Sequence, residues 1–147
     1  MVFIQFTARG PFFGSGEFAA KHSLNSASIW QKGQAHRFGR VHEDAGFGLS
    51  LPDAETPIAA IPLIEAFVEE NAHWLSELRQ QGASASLNLG VTVGEEQSFA
   101  PTIEFSTALL HRLANTGISL AVTGYPTSDE PQPTLQADGP ASGGSAA

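Results

Sequence analysis

Residues 57–82 read PIAAIPLIEAFVEENAHWLSELRQQG. Ile61, Ile64, Val68, Ala72, Leu75 and Leu78 recur every three or four positions, the spacing that lays one apolar stripe along a helix. Glu65, Glu69, Glu70, Glu77 and Gln80 fall mostly off that stripe. Thr56 is placed to cap the first turn with its hydroxyl, and Pro57 suits the first helical position because its missing N–H costs nothing there. Arg79 stands in the last turn and Gly82 just beyond it, as a helix stop should look. One long helix is therefore predicted from Pro57 to Gly82. Pro62 qualifies this, since a proline one turn in predicts either a start near Ile61 or a bend. Trp74 flanks the stripe and is expected at the edge of the core. Such a helix is marginal in water by itself, so its stripe must face a sheet or other helices.

The flanking sequence supplies the sheet. After Gly82, Leu87, Leu89, Val91 and Val93 alternate with Ser86, Asn88, Gly90 and Thr92, the pattern of a strand with one buried and one wet face. Val2 to Ala8 alternates in the same way at the start of the chain. Ala27 to Gly33 reads as a strand entering a polar loop over 34–46, and Phe47, Leu49 and Leu51 read as its return. Ile118, Leu120 and Val122 form a last alternating run toward Tyr125-Pro126. Two shorter helices complete the order. One is capped by Ser15 and runs through about Leu24, with Phe18 and Leu24 inward. The other is capped by Ser106, runs to Asn115 with Leu109, Leu110 and Leu113 inward, and stops at Gly117. The order is β-α-β-β-α-β-α-β. It predicts an α+β, two-layer fold: a mostly antiparallel twisted sheet with helices packed on one face, in a ferredoxin-like variant. Residues 1–126 are expected to form a single α+β domain. Residues 127–147, rich in Pro, Gly, Ser and Ala, are expected to be a disordered tail that cannot repay its ordering entropy.

A chain of 147 residues with a formal charge of −8 is large enough for a sizeable core and argues against general nucleic-acid binding. There is no cysteine, which excludes disulfides, thiol catalysis and zinc–thiolate sites. The sequence opens on VFIQF without a leader pattern, and no apolar run is long enough to span a bilayer. The expectation is a cytoplasmic protein with no membrane partner.

Gly14-Ser15-Gly16-Glu17-Phe18-Ala19 matches G-x-G-x-x-A between a strand and a helix, the pattern that lets backbone approach a pyrophosphate. No acidic residue ends the next strand, and a turn that needs glycine explains the same residues. Trp30 to His42 holds Lys32, Arg37 and Arg40, three of the seven Lys and Arg residues, together with His36 and His42. On an acidic chain this is a local positive island. It reads either as a solvated hairpin loop with Trp30 pinned in the core, or as a binding surface made of Trp30, Lys32, His36, Arg37 and Arg40. His36, His42 and Glu43 match no zinc spacing, so no metal and no cofactor is expected. Glu69-Glu70 and Glu95-Glu96 are adjacent in sequence and read as solvated charge rather than a catalytic pair.

Several landmarks resemble a bacterial domain-of-unknown-function family, DUF 4279. They are the opening strand with the Phe12-Phe13 turn, Trp30-Gln31-Lys32-Gly33, Trp74-Leu75-Ser76-Glu77-Leu78, the run from Leu110 through His111-Arg112-Leu113-Ala114-Asn115-Thr116-Gly117 to Ile118, and the strand closing at Tyr125. The likeness covers roughly residues 2 to 126. It departs between Leu24 and Ser28, where the family's Pro-containing lead is missing. The resemblance implies a small soluble bacterial protein, with some members related to toxin-immunity systems, and no catalytic residue to carry over.

Two functions follow as expectations. One is a non-enzymatic protein-binding module, immunity-like, whose acidity steers it to a basic protein partner. The other is a small-ligand or anion-binding protein, or an enzyme, with its site between the 10–16 turn and the 30–42 loop. No catalytic residue is named for either.

Overall fold

The computed structural model describes residues 1–94 and 100–127. The tail expected from 127 onward lies, apart from Thr127, outside the described residues, as does Glu95-Glu96.

Strand β1 (Val2–Gly10) is the middle of the sheet. Its period-two pattern buries Val2, Ile4, Phe6 and Ala8 and turns Phe3, Gln5, Thr7 and Arg9 to the other face. Helix α1 (Ser15–Lys21) and the short strand β2 (Ser28–Trp30) follow. Then come β3 (Ala45–Ser50), α2 (Pro57–Glu70), α3 (Ala72–Gln80), β4 (Ser84–Val93), α4 (Thr107–Thr116) and β5 (Ile118–Pro126). The strands lie in the order β2-β3-β1-β4-β5. Neighbours are antiparallel except β4 and β5, which run parallel with Leu87 opposite Leu120 and Leu89 opposite Val122. The fold is therefore the α+β, two-layer arrangement with a mostly antiparallel sheet. Strands β1 to β4 follow the ferredoxin-like pattern: β1-α1-β2 and β3-α2-α3-β4 each join parallel strands across one intervening strand, in the order β2-β3-β1-β4. The variation is β4-α4-β5, which adds a fifth strand parallel to β4 at the sheet edge.

The helices cover one face. Ile64 and Val68 of α2, Trp74, Leu75 and Leu78 of α3, and Leu109 and Leu113 of α4 are buried against the inward residues of β1 and β4. Thr56 caps α2 by accepting from the Ala59 N–H at 3.2 Å, and Ser106 caps α4 by accepting from Leu109 at 3.1 Å. Gly117 ends α4 in the left-handed region at φ 76°, where a Cβ would be strained. Ser15 departs from its expected role. It is the first residue of α1 and fully buried, and its hydroxyl donates to the Trp30 carbonyl at 3.0 Å instead of capping the helix. Leu110, expected inward, is 44% exposed, because α4 buries only the Leu109–Leu113 side of its face.

The long helix is two helices. α2 begins at Pro57 and passes through Pro62, whose missing N–H leaves only the carbonyl of exposed Ile58 without its helical donor. The break comes at Asn71, which ends α2 and opens α3. Its Nδ2 donates to the Phe67 carbonyl at 2.8 Å, and its Oδ1 accepts from Trp74 Nε1 at 2.8 Å. An asparagine side chain that competes for a backbone carbonyl diverts the chain from continuous helix. The redirected turn places Trp74 in the centre of the core, 1% exposed, not at its edge. There its ring meets Phe6 edge-on at 5.6 Å and stands 6.1 Å from both Phe18 and Phe47. Edge-to-face pairs of this kind add about 0.5–1.5 kcal/mol each beyond their burial.

Candidate functional site

The sheet face away from the helices carries the feature most open to a ligand or partner. Gly46, Arg9 and Trp30 share one row across β3, β1 and β2. The Trp30 indole lies across Gly46; a Cβ there would stand 2.4 Å from the indole and 2.5 Å from the Ala8 carbonyl oxygen. Glycine at 46 is thus a requirement of close approach, not of turn geometry.

After Trp30 the chain does not form a free loop. Gly33 N–H donates to the His42 carbonyl at 2.8 Å, and His42 N–H donates to the Gln34 carbonyl at 2.9 Å. Ala35 and Val41 bridge, and His36 N–H donates to the Arg40 carbonyl at 2.7 Å. Residues 31–44 are a two-ply arm folded over the open face. Its tip is a single 3-10 turn, Arg37–Gly39, in which Phe38 adopts φ 62° and ψ 33°. Left-handed backbone is uncommon for a residue with a bulky side chain. Phe38 is 96% exposed.

Arm and sheet enclose a cleft of about 690 Å³, lined by Thr7, Arg9, Trp30, His36, His42 and Asp44 among others. One wall is a stack. The His42 ring lies nearly parallel to Trp30, with centroids 5.2 Å apart, and His36 follows at 4.5 Å from His42. Arg9 Nε and Asp44 Oδ2 face each other at 3.8 Å, a long and partly exposed pair that contributes little stability. Trp30 Nε1 is buried and has no hydrogen-bond partner among the described residues. Among the described residues no group of three His, Asp or Glu side chains stands close enough to hold a metal ion. The cleft can offer aromatic stacking, imidazole hydrogen bonds and one cation beside a carboxylate.

Comparison with protein-family models, with curated proteins and with solved structures finds no match for this chain. The geometry alone therefore carries the reading.

The predicted site residues separate into two groups. Trp30 and His36 line the cleft. Lys32, Arg37 and Arg40 do not. Lys32 Nζ lies 5.9 Å from the ring of Phe12, which is itself 92% exposed at the 10–16 turn. Arg37 and Arg40 flank Phe38 at the arm tip. The three cations belong to no ion pair among the described residues, whose pairs involve only Arg9, Lys21 and His22 as cations. Sequence reading missed Arg9, Thr7 and Asp44, which reach the site only through strand pairing. It also passed over Phe38, although a lone aromatic inside R-F-G-R is a legible signal once the segment is known to be exposed. The 14–16 segment contributes Ser15, which is tied to Trp30; added Cβ atoms at Gly14 and Gly16 would meet only ordinary contacts at 3.6 and 3.5 Å, so neither glycine is required for space or for a left-handed turn.

A second cluster lies on the helix layer. Lys21 donates to Glu77 Oε1 at 2.6 Å, and His22 Nε2 meets Glu77 Oε2 at 2.7 Å. The Lys21 hydrogen bond, with a smaller contribution from His22, holds the Glu77 carboxyl below its ordinary range. This cluster ties α1 to α3.

Proposed function

We propose that this protein is a non-enzymatic protein-binding module and that the 31–44 arm is its recognition surface. The carrying observation is Phe38, almost fully exposed in left-handed backbone between two arginines that have no ion-pair partner among the described residues. A strained, exposed aromatic costs stability unless something is gained by presenting it. Aromatic and arginine side chains are the residues that anchor interfaces. Phe12 beside Lys32, and Val41 on the arm's return limb, are further exposed apolar side chains. A surface of this kind fits a partner that offers an apolar pocket rimmed by carboxylates. The basic partner and immunity-like role drawn from the charge of −8 use other faces, those bearing the exposed carboxylates of α2. A cytoplasmic, bacterial setting and kinship with DUF 4279 belong to the same reading.

The test is capture of partners from lysate of the source organism at low and moderate salt, with wild type beside R37A/F38A/R40A. The expected result is a partner held by wild type and lost by the tip variant. Partners held equally by both would end the arm's role and move binding to the acidic faces.

The cleft favours a second reading, a small-ligand site, because Trp30, His42 and His36 form a ready stacking wall beside Arg9. Small anions titrated against the protein should then change Trp30 fluorescence, and Arg9→Ala should abolish the change. No change with any anion, or an unchanged response in the variant, would discard it.

A further inference from the structure

The helix layer carries a groove that matches the arm tip. It holds about 560 Å³ and is lined by Ile58, Ile61, Pro62, Glu65, Thr102 and Glu104. Its lining is apolar because α2 leaves Ile58 83% exposed beside Pro62 and Ile61, the last partly buried against the core. Its rim carries two carboxylates, Glu65 and Glu104, neither in an ion pair among the described residues. Arg112 shares a neighbouring hollow with Glu65 without pairing to it. The arm tip presents the converse: Phe38, 96% exposed, flanked along the turn by Arg37 and Arg40.

Resting on the reading of the arm as a recognition surface, we infer that its partner is a second copy of this chain, with Phe38 seated on Ile58 and Ile61 and the two arginines meeting Glu65 and Glu104. Charge and apolar character complement each other at both parts of the contact. Arginine suits this rim because its planar fork can grip a carboxylate with two hydrogen bonds. The fold prevents the contact from forming within one molecule. The arm covers the open face of the sheet beside Thr7 and Arg9, whereas the groove lies on α2 in the helix layer on the opposite face. Phe38 is accordingly left in solvent within its own chain. Knob and hole are different surfaces, so the contact is head to tail, and assembly runs to a ring or an open chain instead of stopping at a two-fold dimer.

The experiment uses full-length chains and solution mass by sedimentation over a concentration series. A tip variant, R37A/F38A/R40A, keeps the groove; a groove variant, I58R/E65A/E104A, keeps the tip. Wild type should assemble progressively with concentration. Each variant alone should associate at least about tenfold more weakly, the scale of losing an interface anchor. Mixed in equal amounts, the variants should form a one-to-one complex and nothing larger, because the mixture offers only one intact tip and one intact groove per pair. A misfolded variant could not complement its partner, so the mixture also controls for folding. A monomeric wild type, variants that still assemble alone, or a mixture without a complex would overturn the inference. A monomeric wild type whose arm still captures another protein would end the head-to-tail contact while leaving the recognition arm standing.

Discussion

Two single residues decide where the aromatic side chains go. Gly46 admits the Trp30 indole onto the open face, and any side chain there would meet both the indole and a β1 carbonyl oxygen. Asn71 does the corresponding work in the core. It spends both ends of its amide, donating to the Phe67 carbonyl and accepting from buried Trp74. Asn71→Ala would let the helix continue but strand the indole N–H in an apolar environment. Leaving a buried donor unpaired costs about 1–3 kcal/mol. The unfolding free energy measured in urea should fall by that amount, seen as a lower midpoint, and Asn71→Ala combined with Trp74→Phe should recover part of the loss. An Asn71→Ala midpoint equal to wild type would show that the amide bridge is not what orients Trp74.

At the scale of elements, the α1–α3 clip is the clearest electrostatic device. Glu77 of α3 is held by Lys21 and His22 at the end of α1, and its folded-state pKa is depressed. A carboxylate whose pKa is lower in the folded than in the unfolded chain contributes stability above its ordinary pKa. That contribution is lost as pH falls through the depressed folded value. Glu77→Gln should therefore be less stable than wild type near neutral pH, and the gap should close in acid below the ordinary carboxylate range. Lys21 is 63% exposed, so the gap should also narrow with added salt. Denaturation across a pH series measures this. A gap that does not vary with pH would mean that Glu77→Gln acts through packing and not through the lost charge.

At the scale of the whole molecule, the sheet separates two kinds of surface. The helix face is filled: Phe6, Phe18, Phe47 and Trp74 form an aromatic centre with Leu75, Leu87 and Leu89 around it. The open face is mostly polar, with Gln5, Thr7, Arg9, Ser86 and Asn88 beside half-exposed Phe3, Trp30 over Gly46 near one edge and Tyr125 beside Gly90 near the other. Everything proposed for binding follows from that division. The arm and its cleft occupy the open face, and the carboxylate-rimmed groove lies on the outer surface of the helix layer. Among the described residues no helix is long and apolar enough to cross a membrane. Because a net charge of −8 repels like molecules at long range, any contact between copies must rely on local pairing of the arm's cations with the rim's carboxylates.

The sequence by itself determined the strands, the caps of α2 and α4 and the inward face of most elements. These depend on near neighbours: alternation in Val2–Ala8 and Ser86–Val93, a hydroxyl at Thr56 and Ser106, a left-handed glycine at Gly117. It also marked Trp30 and His36, which do line the cleft, and the cations Lys32, Arg37 and Arg40, which do not. Only the tertiary structure decided the break at Asn71, because the apolar period continues unbroken across it and the reason for the turn is a buried indole three residues on. Only tertiary structure, likewise, brought Arg9 and Asp44 together across strands and placed Phe38 in solvent. Sheet order, register and the side of the sheet on which an arm lies are set by contacts between residues distant in the chain, and local patterning is nearly the same for each alternative.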